Sequence, residues 1–261
     1  MKKTISGFLI IIVTVFISGC FEVTQDLTIN KDGSGNFSST TDMSQMVSLA
    51  MQMAGDKLKE QKMNMDTTIA FKTVLDSIKD MSQASKELLK NGQVHVIMKM
   101  DDGKYLINSS IPFKSLTDVD KINTAMQNEV SGKFLDNAMK EAMKQTAKTD
   151  SSSMNMPQQS PPLSLPENYF ILTCKNGVIS RTADKTKLAT LVQDEMLNQM
   201  KQMGAMGAPL KTNFVINLPK PARKVEGKNV KVSDDKKTIT ISNELNDLFE
   251  DPAMFEFKVE Y

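Results

Sequence analysis

The alternation of apolar and polar residues is the clearest structural signal in this chain, and it predicts β-strands. Phe21, Val23, Leu27 and Ile29 share one face of the segment 21–29, whereas the opposite face is polar. Residues 30–35, Asn-Lys-Asp-Gly-Ser-Gly, are typical of a turn whose glycines supply positive φ. Residues 36–41 are then expected to return as a second strand.

Further segments carry the same strand signal, several of them on both sides of a turn rich in Asp, Asn or Gly. They are residues 93–100, 104–113, 167–174, 178–182, 213–218, 230–232 and 238–242. The last segment alternates through Phe255, Phe257, Val259 and Tyr261. A chain that ends on such a pattern is expected to be tied into a sheet.

Apolar residues spaced three and four positions apart predict amphipathic helices between the hairpins. Asp42 is the expected N-cap of one helix, with Gln45 at the capping-box position, and a second helix is predicted from about Thr67 to Lys90. Asp184 is the expected N-cap of another. The apolar positions of the predicted helices lie within residues 43–58, 71–81, 116–126, 134–143 and 188–203.

These elements predict an α+β fold in which antiparallel hairpins pack against several amphipathic helices. Residues 149–166 interrupt the pattern with Ser, Gln and Pro and have few apolar side chains, so we expect a disordered insert there. Residues 20–148 and 167–261 are then expected to be two parts of the same α+β domain.

The N-terminal segment, residues 1–19, has the features of a signal peptide. Lys2 and Lys3 precede an apolar run from Phe8 to Ile17, which is too short to span a bilayer. Ile17-Ser18-Gly19-Cys20 follows, and it resembles the lipobox of bacterial lipoproteins. The resemblance implies cleavage before Cys20, a diacylglyceryl thioether on its sulfur and an acylated amine. The alternatives are an ordinary secretory signal with a chance cysteine, or a buried apolar helix.

Composition excludes some functional classes. Cleavage after residue 19 removes two of the 32 basic residues and none of the 31 acidic ones, which leaves a formal charge near −1. No basic stripe is present in the sequence, so nucleic acid is not an expected partner. The expected partners are the membrane, through the lipid anchor, and a lipid or an envelope protein.

Candidate reactive side chains are few. Lipidation of Cys20 leaves Cys174 alone, so the mature chain can form no internal disulfide. Cys174 follows a strand pattern and is interpreted as a small buried residue, with a reactive thiol as the alternative. The single histidine, His95, alternates with valines and is interpreted as structural, because one histidine cannot build a multi-histidine metal site.

The chain contains 20 methionines, and thioethers are ligands that suit Cu(I). Four Met-x-Met pairs occur: Met51/Met53, Met63/Met65, Met98/Met100 and Met154/Met156. Most methionines, however, fall on predicted core faces, where a flexible side chain fills gaps. We therefore predict no metal site and no cofactor other than the lipid on Cys20, and keep Cu(I) binding as an alternative.

The start and the end of the chain resemble LppM-type bacterial lipoproteins. The shared features are Cys20 before a Thr-rich strand, the turn Asp32-Gly33-Ser34-Gly35, and the tail segments 217–221 and 234–240. The resemblance implies a membrane-anchored α+β domain in contact with lipids or glycolipids. The chain differs from this pattern in its methionine-rich helices and in lacking a C-terminal apolar segment.

The function expected from these features is a non-catalytic envelope lipoprotein that binds a lipid or a protein partner. Apolar helix faces lining a groove for acyl chains and a closed core are both compatible with the pattern. Phe21, rather than an aspartate, follows Cys20, which by resemblance favours the outer membrane in a cell with two membranes. A Cu(I)-binding protein and an enzyme remain the alternatives, and no catalytic residue is predicted.

Overall fold

A computed structural model of the protein describes residues 21–45, 47–48, 51, 64–76, 78, 81–128, 166–205 and 209–261. The predicted signal peptide, Cys20, most of the first predicted helix, the apolar segment 134–143 and nearly all of the predicted insert lie outside these residues. Within them the chain forms two sheets and several helices, which confirms the predicted α+β fold.

The strands are numbered in chain order. They are β1 Phe21–Ile29, β2 Gly35–Asp42, β3 Asn64–Ala70, β4 Gln93–Lys99, β5 Lys104–Phe113, β6 Phe170–Lys175, β7 Val178–Ala183, β8 Leu210–Asn217, β9 Lys224–Gly227, β10 Val230–Val232, β11 Thr238–Glu244 and β12 Phe257–Glu260. The described α-helices are α1 Lys72–Leu75, α2 Gln83–Leu89, α3 Asp118–Asn128, α4 Lys185–Leu188, α5 Glu195–Ala205 and α6 Leu245–Glu250.

The strands form a large sheet with the order β10-β11-β8-β1-β2-β5-β4-β3 and a small sheet with the order β6-β7-β12-β9. β1 pairs with β2 through the predicted hairpin, and on its other side it pairs in parallel with β8. β8 comes from the part of the chain after the predicted insert. The two parts therefore share one sheet, with β1 inside it.

The helix predicted from about Thr67 to Lys90 is wrong. Residues 64–70 form β3, in which Met65 and Ile69 are buried and Met65 pairs with Met98 of β4. The short helices α1 and α2 follow, and the Ser82 side chain caps α2 by accepting from Ser85 N–H. The apolar residues of the predicted face are buried, but separate short elements place them there.

The helix predicted after Asp184 is also wrong in its length. Asp184 does cap α4, accepting from the N–H groups of Thr186 and Lys187. The helix then ends at Leu188, and a new helix, α5, begins where Asp194 accepts a hydrogen bond from Leu197 N–H at 3.0 Å. Val192 lies in the intervening 3₁₀ turn and is 74% exposed, so it is not part of an apolar face.

Three further sequence predictions need correction in detail. The strand predicted from Glu167 begins at Phe170, because Pro166–Tyr169 form a 3₁₀ turn. Pro166, counted in the predicted insert, is buried in that turn. The Asp42 cap is present, since Ser44 N–H donates to Asp42 Oδ1 at 2.9 Å, but Gln45 Oε1 has no hydrogen-bond partner and does not complete a capping box.

The apolar residues form two neighbouring cores on the inner face of the large sheet. The larger core contains β1 residues such as Leu27 and the small-sheet residues Cys174 and Val259. The smaller core surrounds the first residue of β1, Phe21, and includes Leu197 of α5 and Leu248 of α6. The predicted C-terminal strand is confirmed as β12, which lies between β7 and β9, but it begins at Phe257 because Pro252–Phe255 form a 3₁₀ turn. None of the helices in the described ranges is long and apolar enough to cross a bilayer.

Candidate functional site

One edge of the large sheet, which we call the anchor edge, is where β1 begins at Phe21 and where the chain arrives from Cys20. Phe21 is 3% exposed and pairs with Leu210, the first residue of β8. Cys20 lies outside the described residues, but covalent geometry keeps its Cα about 3.8 Å from that of Phe21. A group carried by Cys20 is therefore attached to the sheet without a linker.

Two helices reach the anchor edge. Gly204, in the last turn of α5, packs against Pro209, because a Cβ on this glycine would lie 3.4 Å from the Pro209 Cα. Pro209 directly precedes β8, so the C-terminal end of α5 lies beside Leu210. α6 adjoins α5, since Lys201 Nζ lies 4.4 Å from the centroid of the Phe249 ring. The anchor edge is thus bordered by α5 and α6.

Partly exposed apolar side chains pack against the smaller core, which contains the buried Phe21. Met203 of α5 and Phe249 of α6 pack against the smaller core and remain half-buried. Met43, which directly follows β2, does the same on the other side of β1. Its backbone N–H donates to Tyr105 O at 2.9 Å, which holds it beside the start of β5. The result is an apolar rim of Met43, Met203 and Phe249.

The outer face of the large sheet is polar and is held by side-chain hydrogen bonds. Asn217 of β8 donates to Asp26 Oδ2 of β1 at 3.0 Å, and Thr28 donates to Asp26 Oδ1 at 2.8 Å. Four residues earlier on both strands, Asn213 donates to Glu22 Oε1 at 2.6 Å. The parallel pairing of β1 with β8 produces this repeat. The helices α1 to α6 place their buried apolar side chains in the two cores.

A buried arginine lies between the two sheets. Arg181 of β7 is 3% exposed, and its Nε–H donates to Phe255 O at 2.7 Å. Its guanidinium carbon lies 5.1 to 5.7 Å from the ring centroids of Phe170, Phe214, Phe255 and Phe257. Burial lowers the pKa of Arg181 to about 10. The arrangement holds a cation among four aromatic rings, in which the ring faces attract the charge.

Glu167 supplies the opposite charge in this region. It is 5% exposed, and burial raises its pKa while the positive charge of Arg181 acts against that rise. Glu167 Oε2 and Arg181 Nη2 are both buried without a hydrogen-bond partner. Gln127 of α3 donates to Glu167 O at 3.0 Å, so the chain on either side of residues 129–165 meets here. Sequence reasoning missed this centre, although Arg181 stands two residues after the apolar Ile179 on the strand it predicted.

The prediction that Cys174 is a buried side chain is confirmed. Cys174 is fully buried and unpaired, and its backbone N–H donates to Asp120 Oδ1 at 2.6 Å. Burial, together with the neighbouring Asp120 carboxylate, raises the pKa of the thiol well above its ordinary range. The structure therefore does not support the alternative of a reactive thiol, because the thiolate is the nucleophilic form.

His95 points to the outer side of β4, where its Nε2 lies 2.8 Å from Asp66 Oδ1. This hydrogen bond lowers the pKa of Asp66. The pair joins β3 to β4, which agrees with the structural interpretation of His95. Among the described residues, no group of three or more His, Cys, Asp and Glu side chains lies close enough to hold a metal ion.

Three methionines of the Met-x-Met pairs, Met65, Met98 and Met100, pack against the larger core. Met65 and Met98 are cross-strand partners on β3 and β4, and both are buried in the larger core. Met100 is partly buried against the same core. These thioethers contact other apolar side chains. The Cu(I) alternative stays a prediction for the pairs as a whole.

Comparison with known proteins returned one structural likeness. Neither a protein-family model nor a curated protein sequence matches the chain. The NMR structure of the folded domain of the Mycobacterium tuberculosis LppM protein is similar over 95% of this chain and 94% of that one, with 10% sequence identity and a TM-score of 0.35.

Proposed function

We propose that this protein is a non-catalytic lipoprotein of the bacterial envelope, anchored through lipid on Cys20, whose domain binds a partner. The observation that carries the proposal is the lipobox Ile17-Ser18-Gly19-Cys20 directly before Phe21, the first residue of β1. Two or three acyl chains hold a protein on a membrane stably, whereas a single chain binds marginally. By resemblance to other lipoproteins, Phe21 after the cysteine favours the outer membrane.

A protein partner is favoured over a lipid held inside the domain. The described helices place their buried apolar side chains in the two cores, which favours a closed core over a groove for an acyl chain in this part of the protein. The broad outer face of the large sheet carries polar side chains that are already positioned by mutual hydrogen bonds. Such a preorganised surface loses little side-chain freedom on association.

Lipidation is tested by radiolabelled palmitate in the producing cell. We expect label in the wild-type protein and in Cys174→Ala, and no label in Cys20→Ala. Cys174→Ala is the matched control because it removes the other cysteine of the chain. Equal labelling of the wild type and Cys20→Ala would contradict the proposal.

The nature of the partner is tested by native mass spectrometry of the full protein extracted from its own host's envelope. A defined protein complex that is lost when polar residues of the outer face are replaced would support the proposal. A stoichiometric lipid that stays bound after removal of detergent would instead support an acyl-chain groove in the domain.

The copper alternative has its own test. Calorimetric titration with Cu(I) under reducing conditions would show micromolar binding if the Met-x-Met pairs form a site. We expect no heat of binding, because Met65 and Met98 are enclosed in the core. We also propose no catalytic role for the described polar clusters, since the hydrogen bonds of the outer face and the Arg181 region have a structural explanation.

A further inference from the structure

The anchor edge has a consequence for how the domain lies on the membrane, and this consequence rests on the proposed lipidation of Cys20. β1 lies inside the large sheet, between β8 and β2, and its first residue is already buried. The strand cannot move away from the sheet without breaking both ladders. Acyl chains on the preceding residue would therefore hold the edge of the sheet itself at the bilayer.

The apolar rim is placed where that bilayer would be. Met43, Met203 and Phe249 are half-buried and pack against the smaller core, which contains Phe21. They lie just after the end of β2, on α5 and on α6, the elements that adjoin the anchor edge. Lys201 is exposed, and its ammonium group lies over the Phe249 ring. A lysine beside partly exposed apolar side chains is a common arrangement at membrane interfaces, where the amine reaches the headgroups and the apolar groups lie deeper.

The charges of the edge indicate how strong such a contact is. Across the strands, Glu22 pairs with Lys211, and Lys211 pairs with Glu244. Both signs are therefore present, and the surface has no strong attraction for anionic lipid. A contact that would be too weak to recruit the protein from solution can still orient it, because the anchor makes the contact intramolecular.

We infer that the anchor edge is a membrane-contact surface on which Met43, Met203 and Phe249 meet the interfacial region of the bilayer that holds the Cys20 lipid. Lys201 meets the lipid phosphates beside them. The strands of the large sheet then rise from the membrane, and the opposite end of the sheet points away from it. In this orientation the outer polar face of the sheet is roughly perpendicular to the membrane surface, where a partner can reach it.

Single tryptophans test this orientation, since the natural chain contains none. Phe249→Trp places the probe on the rim. Val232→Trp is the control, because Val232 is 44% exposed and lies level with Leu27 through the pairings of β10, β11, β8 and β1. Leu27 is six residues from Phe21, which corresponds to about 20 Å along a strand.

The full lipidated protein is reconstituted into vesicles of phosphatidylethanolamine and phosphatidylglycerol whose acyl chains carry bromine. We expect fluorescence quenching of Phe249→Trp to exceed that of Val232→Trp at least twofold, with emission at shorter wavelength. Met203→Trp serves as a second rim probe if Phe249→Trp does not fold, as judged by circular dichroism.

Intact mass and vesicle flotation of the same samples distinguish a failure of the proposed lipidation from a failure of the membrane-contact surface. A protein that carries no lipid and does not float would overturn the proposed function and this inference with it. A lipidated protein that floats, but whose rim and control probes are quenched equally, would overturn the membrane-contact surface alone.

Discussion

The buried Arg181 supports a quantitative prediction about stability. Burial is the largest cause that lowers the pKa of its guanidinium from the ordinary arginine value to about 10. Each pH unit by which a pKa moves corresponds to about 1.4 kcal/mol, so the charged form is disfavoured by about 3 kcal/mol in the folded protein. For Arg181 to remain buried, other interactions must offset this cost.

The interactions around the guanidinium are sufficient in magnitude. A desolvated cation over an aromatic ring gains about 1 kcal/mol or more, and four rings surround this one. The charged hydrogen bond to Phe255 O contributes roughly 1.5–3 kcal/mol. Removal of the side chain would also leave the Glu167 carboxylate buried without its cation. We therefore expect Arg181→Met to lower the free energy of unfolding by about 3–5 kcal/mol.

A double-mutant cycle separates the ionic coupling from the packing. Arg181→Met, Glu167→Gln and the double variant are compared by urea unfolding monitored by circular dichroism at pH 7. We expect the double variant to be more stable than the sum of the single effects predicts, by at least about 1 kcal/mol. Lys185→Met, at an exposed site on α4, is the control and should stay within about 0.5 kcal/mol of the wild type.

The pH dependence gives the same pair an independent test. Because burial raises the pKa of Glu167, the folded protein favours the protonated carboxyl. Its stabilising contribution is complete below the ordinary glutamate pKa and is lost as the pH rises through the higher folded-state value. Unfolding free energy, measured for the wild type relative to Glu167→Gln, should therefore decrease as the pH is raised from 4. Strict additivity in the cycle together with an unchanged pH difference would refute the reasoning.

Three further outcomes are expected, two from the structure and one from the composition of the predicted insert. Gly35→Ala should lower the free energy of unfolding by at least about 2 kcal/mol, and Gly33→Ala by only about 1 kcal/mol. The reason is that a Cβ on Gly35 would lie 2.0 Å from Thr28 O, whereas nothing lies within 4 Å of a Cβ on Gly33. Equal shifts in the thermal unfolding of the two variants would contradict this prediction. Cys174 should resist a thiol reagent until denaturant is added, and rapid native labelling would contradict its burial. The composition of residues 149–166 predicts a disordered insert, so we expect limited proteolysis to cut there first. The fragments should co-elute because β8 pairs with β1. Early cleavage elsewhere or immediate separation would contradict this prediction.

The local sequence pattern was sufficient to predict the hairpins. β1 with β2, β4 with β5, and β6 with β7 are each joined by a short turn, so alternation and turn residues lie within one stretch of sequence. The turn before β7 shows why: Asn176 and Gly177 both adopt positive φ, as their residue types favour. The burial of Cys174 could be predicted for the same reason, because strand alternation alone assigns it to a face.

Helical periodicity predicted the helices less reliably, because several short elements in succession can bury the same apolar residues that one long helix would bury. Phe71, Val74 and Leu75 fit the face of one long helix, yet β3 pairs with β4 and leaves them to a turn and the four-residue α1. Likewise Asp194, a second N-cap, divides the helix predicted after Asp184. Tertiary pairing outweighed the small differences in local propensity.

The sequence by itself was enough to predict the hairpins and the alternation that buries Cys174, since each depends on residues close together in the chain. The resemblance of residues 17–20 to a lipobox is a local pattern of the same kind. Only the tertiary structure decided the parallel pairing of β1 with β8, which joins residues about 190 positions apart. It also decided the rings around Arg181, which come from four separate positions of both sheets and the C-terminal turn. Long-range contacts have no local signal, because the energy that selects them comes from burial and charge in the assembled core.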